Sequence, residues 1–124
     1  MEVFNRKNSN STGTLPILKS WMLISPKNSC TQNLSLQVSE IPIGSEQPIH
    51  THKPEQVYFL INGEGLMTID EEGREVFAGD AVYVPENARH GIKNTGNEVL
   101  EYITANSPVF SENYERTLWP ANPE

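Results

Sequence analysis

Three histidines are the entire imidazole content of this 124-residue chain, and two of them stand one residue apart in His50-Thr51-His52; the third is His90. If residues 50–52 run as a strand, side chains two apart project from one face about 6.5–7 Å from each other along the chain. Two neutral imidazoles so placed could reach a single transition ion. Pro54 cannot sit inside a central strand, so the chain is expected to bend there and to re-enter a strand at Gln56. Alternation then gives Gln56, Tyr58 and Leu60 one face and Val57, Phe59 and Ile61 the other. Gln56 carries a neutral amide on that face. Tyr58 shares its parity and carries a phenol that could donate a proton or simply pack. Glu55 has the opposite parity and is expected outside. A H-x-H pair alone fits a solvated strand as well as a metal site, so the elements that place it matter.

Short apolar runs alternating with turn signals fill the chain from residue 15 onward, the pattern of an all-β domain. Strands are expected over residues 17–24, 34–43, 56–61, 65–70, 75–78, 81–84, 90–93 and 99–105. In the second, Leu34, Leu36 and Val38 alternate with Ser35, Gln37 and Ser39, so the leucine face is expected to look inward. The connections, among them Asn62-Gly63, Ala78-Gly79-Asp80 and Pro85-Glu86-Asn87, carry residues that tolerate positive φ or fix a turn. Asp80 is expected to cap backbone N–H groups in its turn. Eight or so short strands in a small chain suggest a closed barrel or jelly roll, because closure removes exposed edges. Residues 1–14, polar and without periodicity, read as a flexible N-terminal arm, and residues 15–124 as one barrel domain with a C-terminal tail. In that tail one helical turn is expected around residues 112–116.

Composition narrows the function. Aliphatic, aromatic and sulfur side chains make up 36% of the chain, enough for one small core. No apolar run approaches the ~18 residues of a spanning helix. The net charge is −7 and the few Lys and Arg are scattered, which argues against a nucleic-acid partner. The N-terminus has no apolar stretch behind its charges, and the one cysteine, Cys30, cannot form an internal disulfide, so a cytoplasmic location is expected. Cys30 has no neighbouring base to make it a nucleophile. Tyr83 and Tyr102 read as packing residues, Arg89 as a rim residue by parity, and Trp21 and Trp119 as covers for the core or a subunit contact. No phosphate loop or dinucleotide fingerprint is present.

The frame around the histidines resembles the cupin superfamily. Gly44, five residues, His50-Thr51-His52, three residues, Gln56, six residues and Gly63 are similar to the family's first motif. Gly79, five residues, Pro85, one residue, Asn87, two residues, His90, three residues and Asn94 are similar to the second, and fifteen residues separate the two. Asn87 stands where cupins usually have Gly, at a position that needs positive φ and that Asn tolerates. Gln56 stands where the family usually has a Glu ligand. The resemblance implies a single-domain cupin-type antiparallel β-barrel or jelly roll. It further implies one divalent transition metal (Mn, Fe, Ni, Co or Zn) held by His50, His52, Gln56 and His90. Cu(II) could also occupy such a site in vitro. Four neutral ligands would leave the full +2 on the ion and favour an anionic small-molecule ligand. A homodimer, with the segment of residues 15–24 exchanged, is implied too. Three functions stay open: a metal-dependent enzyme acting on a small organic acid or sugar, with Tyr58 as catalytic acid or bound water moving the proton, a metal-dependent dioxygenase, and a non-catalytic sugar- or metabolite-binding module.

Overall fold

A computed structural model describes residues 1–9, 11 and 17–109. The expected helical turn at 112–116 and Trp119 lie outside the described residues. Nine strands follow in order: β1 (Lys19–Ile24), β2 (Ser35–Ile41), β3 (Glu46–His50), β4 (Glu55–Asn62), β5 (Glu64–Ile69), β6 (Glu72–Phe77), β7 (Ala81–Val84), β8 (His90–Asn94) and β9 (Leu100–Ser107). They form two antiparallel sheets, β1-β2-β9-β4-β7 and β3-β8-β5-β6, closed on each other as a jelly roll. Among the described residues, no helix is long and apolar enough to cross a membrane.

Where the expected turns fall, the backbone explains why. Gly63 has φ +85°, and a Cβ there would meet the Val99 carbonyl oxygen at 2.9 Å, so the β4–β5 hairpin needs glycine. Asn87 takes φ 62°, as its place in the turn requires. Asp80 accepts the Phe77 N–H at 2.8 Å, the capping role expected of it.

Two expectations need correction. The strand β3 was not foreseen, because Glu46, Gln47 and Pro48 lack an apolar alternation. Proline is tolerated there since β3 is the edge of its sheet and its register slips between Gln47 and His50. Gly91 on β8 makes that close approach possible, since a Cβ would lie 2.8 Å from the Gln47 carbonyl oxygen.

The inward face of β2 is also the opposite of the one expected. Ser35, Gln37, Ser39 and Ile41 are buried, whereas Leu34 is exposed and Leu36 half-buried. Val38 is covered from outside. It pairs across β1 with Trp21, and the Arg6 guanidinium lies 5.0 Å over that indole while bonding Glu40 at 3.2 Å and Glu101 at 2.6 Å. Trp21 thus covers the outward side of the sheet under Arg6.

The core joins Leu18, Ile41, Leu60, Met67, Ile92 and Leu100 between the sheets. Burying each such side chain contributes about 1.5–3 kcal/mol. They fill one end of the barrel, and the histidines lie toward the other.

Candidate metal centre

His50 ends β3 and His90 begins β8, and the two are register partners in the four-stranded sheet. Gln56 comes from β4 in the opposite sheet, with Tyr58 and Leu60 on the same buried face, as alternation predicts. His52 corrects another expectation: it lies past the end of β3, in the loop of residues 51–54, so strand parity is not what aims its ring. A tether does part of that work. The Asn87 N–H donates to the His52 carbonyl oxygen at 2.9 Å, tying this loop to the turn before β8.

All three imidazoles are oriented the same way. Nδ1 of His50 meets the Pro48 carbonyl oxygen at 2.7 Å, Nδ1 of His52 that of Pro54 at 2.8 Å, and Nδ1 of His90 that of Ala88 at 2.9 Å. A carbonyl oxygen only accepts, so each Nδ1 carries the proton and each Nε2 presents a lone pair. Yet Nε2 of His52 lies 3.1 Å from Nε2 of His90, and Oε1 of Gln56 lies 3.3 Å and 3.1 Å from those two atoms. These are acceptors facing acceptors. Turning the Gln56 amide round would relieve two of the contacts and leave the nitrogen pair opposed. A cation relieves all of them: two donors each about 2.1 Å from one ion and at right angles stand about 3.0 Å apart. His50 completes the group, one ring nitrogen from each histidine lying within 4.8 Å of the others.

Burial keeps the set neutral. It lowers the His50 pKa to about 4 and that of His90 to about 3, the neighbouring imidazoles adding to the effect; burial lowers His52 as well. Near pH 7 the rings are therefore ready to ligate without losing a proton first.

Tyr58 packs edge-on to His90, with ring centres 6.2 Å apart, and stacks on Tyr102 at 5.1 Å. Burial raises its pKa well above the usual phenol value, so it holds its proton firmly. Glu55 points outward and accepts a hydrogen bond from the Tyr83 hydroxyl at 2.8 Å. Arg89 is exposed, its backbone N–H bound to Asp70 rather than its guanidinium to the site. Cys30 is exposed and unpaired.

Sequence reasoning missed Gln37, Gln47 and Thr104. With Tyr58 and Tyr102 they enclose a chamber of about 10 Å³ beside His50 and Gln56, room for the centre of one water-sized group. For Gln37 the signal was present in the polar alternation of β2, read with the other face inward; no face was assigned to β9, and β3 was not foreseen. A wider cleft of about 480 Å³ opens between β6 and β7 over Met67, Ile69, Val76 and Val82. It contains none of the histidines, so its size does not make it the chemical site.

Comparison with known proteins fits this geometry. A family model described as a cupin domain matches residues 37–106. An uncharacterized protein of Methanocaldococcus jannaschii is 38% identical over 78 residues, 62% of each chain. An oxalate-binding protein of Thermotoga maritima is 32% identical over 65 residues, 52% of this chain and 54% of that one. The matches thus span somewhat more than half the length of these relatives. Among solved structures, an RmlC-like cupin from Shewanella frigidimarina superposes with a TM-score of 0.75 at 23% identity, over 92% of this chain and 96% of that one.

Proposed function

The chain belongs to the cupin family, and from that premise we propose that His50, His52, His90 and Gln56 hold one divalent transition ion in a metal-dependent enzyme for a small organic acid or sugar. The reaction class is isomerisation, ring opening, elimination or decarboxylation. The observation that supports this reading is the convergence of three ring nitrogens within 4.8 Å of one another, those of His52 and His90 3.1 Å apart, beside the Gln56 amide oxygen. The ion is Mn(II), Fe(II), Co(II), Ni(II) or Zn(II), all of which accept imidazole and amide oxygen. When bound, it would supply Lewis acidity, polarising a carbonyl or enolate and lowering the pKa of bound water.

The chain's own residues would do the rest. The three backbone carbonyls that accept from Nδ1 fix the ring orientations and raise the basicity of the facing nitrogens. Tyr58 lines the chamber beside His50 and Gln56 with a firmly held proton, which suits it to donate a hydrogen bond to a developing oxyanion. Gln56, being neutral, leaves the ion's charge undiminished.

Elemental analysis of protein purified without added metal, repeated on His52→Ala, tests the reading. One equivalent of a transition ion in the parent and a loss to trace levels in the variant are expected. A parent protein that refuses every one of these ions overturns it. Gln56→Glu is expected to tighten ion binding while weakening an acidic ligand; unchanged affinities for both would remove Gln56 from the ligand set. Iron in the purified protein would shift the reading toward a dioxygenase, checked by oxygen uptake with diols and enols. The oxalate-binding relative favours a second reading, a module that retains a metabolite without turning it over. Recovery of the bound molecule unchanged after prolonged incubation would select that reading.

Self-association belongs to the same proposal. Val57, Phe59 and Ile61, each more than 40% exposed on the outward side of β4, give a homodimer an apolar face. Sedimentation of the parent at twice the monomer mass, reverting to the monomer in Phe59→Lys, is expected. A monomeric parent excludes it.

A further inference from the structure

The chamber beside the histidines is lined by more than ligands. Gln37, Thr104 and Asn106 are buried, at 5%, 1% and 1% exposure. Oε1 of Gln37, Oγ1 of Thr104 and Oδ1 of Asn106 have no hydrogen-bond partner among the described residues. An unpaired buried polar atom costs about 1–3 kcal/mol. Three of them in one place are a considerable burden for a domain of this size, and few native structures gather them without a purpose.

They are also contiguous. Gln37 on β2 is the register partner of Thr104 on β9, Thr104 is that of Tyr58 on β4, and Asn106 is that of Gln56. The Asn106 amide is fixed by donation from Nδ2 to the Ser35 hydroxyl at 3.0 Å, leaving its oxygen unpaired. Gln37 and Thr104 reach the chamber wall itself, which among the described residues includes no Lys, Arg, Asp or Glu.

We propose that Gln37 and Thr104 are specificity residues that make this chamber select a hydroxyl group of a neutral polyol or sugar over a carboxylate. An amide oxygen only accepts hydrogen bonds, and a threonine hydroxyl both accepts and donates. A ligand hydroxyl donates to Gln37 Oε1 and accepts from Thr104 Oγ1, satisfying both. A carboxylate has no proton to offer Gln37, and its charge finds no cationic side chain among the described residues of the wall. The chamber's size admits one such group, with the remainder of the ligand outside it. This selection deepens the proposed function, since it concerns the same site: it sets which group enters the chamber, while an acidic group would be held by the ion.

Titrations of the full chain with glycerol and with oxalate, each with and without one equivalent of Zn(II), test the proposal. The readout is the NMR shift of the Thr104 methyl group in the parent and in Gln37→Leu, and of the imidazole protons in every protein. Glycerol is expected to shift the Thr104 methyl saturably in both metal states. Gln37→Leu and Thr104→Val, which keep bulk and remove the polar atom, should each weaken glycerol about tenfold, the equivalent of one lost hydrogen bond of about 1.4 kcal/mol. Oxalate should bind only with zinc, and within about twofold of the parent in both variants. Thr104→Ser retains the hydroxyl and should bind glycerol within about twofold of the parent, even if Thr104→Val disturbs folding. Glycerol that leaves the Thr104 methyl unmoved, or equal glycerol binding by parent and variants, would mean that a lone water satisfies these atoms and would overturn the proposal. Glycerol binding in a protein that refuses zinc would remove the metal reading and leave this one standing. Zinc binding with glycerol ignored would do the reverse.

Discussion

The two ends of the barrel interior are built from the same strands to opposite ends. Along β2 the inward residues run Ile41, Ser39, Gln37, Ser35; along β9 they run Leu100, Tyr102, Thr104, Asn106; along β4, Leu60, Tyr58, Gln56. Register aligns these series, so the interior grades from hydrocarbon through phenol and hydroxyl to amide over four residue pairs. Ile41, Leu60 and Leu100 at one end are fully buried and need nothing but contact. At the other end, His90 and Asn106 are equally inaccessible yet leave lone pairs facing one another or facing nothing. One end stabilises the fold, and the other draws on that stability to hold polar atoms in positions they would not choose.

The sharpest break in this contrast is Leu100→Ala. It should cost about 2–5 kcal/mol in urea unfolding while leaving ion stoichiometry at one, because the cavity opens away from the histidines. His90→Ala should do the opposite. A loss of ion affinity on the order of 100-fold or more is expected by isothermal titration, as removing a ligand exceeds the 10–100-fold cost of losing its outer support. The metal-free variant should lose less stability than Leu100→Ala, since one of two opposed lone pairs has gone. If both substitutions reduce stability and ion binding in equal proportion, the ends are not separable.

Acid should find the polar end first. The folded pKa values of His50 and His90 lie below the ordinary 6.5, at about 4 and about 3, so between those values and 6.5 the unfolded chain binds more protons than the folded one. Stability of the metal-free protein is therefore fully present above pH 6.5 and declines as pH falls toward 4. A urea midpoint that stays constant from pH 7 to pH 4 would contradict the burial of these rings. The smallest effect is expected for Thr104→Val. Replacing an unpaired hydroxyl with a methyl should change stability by no more than about 1 kcal/mol, and upward if at all. A large loss would show that the hydroxyl has a partner in the folded chain.

The same gradient explains what was legible in the sequence. The barrel and the histidine frame could be read because glycine, proline and asparagine at Gly63, Gly79, Pro85 and Asn87 punctuate the strands at fixed intervals. The parity of Gln56 and Tyr58 followed from strand geometry alone. The face of β2 was misread because apolar-inward is a rule for hydrocarbon cores. Here the interior is polar, while Arg6 and Trp21 cover the apolar outside. β3 escaped notice because an edge strand with a slipped register needs no hydrophobic alternation and tolerates Pro48. The placement of His52 could not be read at all. It depends on a contact between Asn87 and a loop thirty-five residues away in sequence.

The Asn87–His52 hydrogen bond ties the loop of residues 51–54 to the turn before β8, at one corner of the histidine cluster. A turn with no side chain in the cluster thus holds one of its three rings in place through the main chain alone, so the seat of His52 is set by the backbone of Asn87 as much as by its own loop.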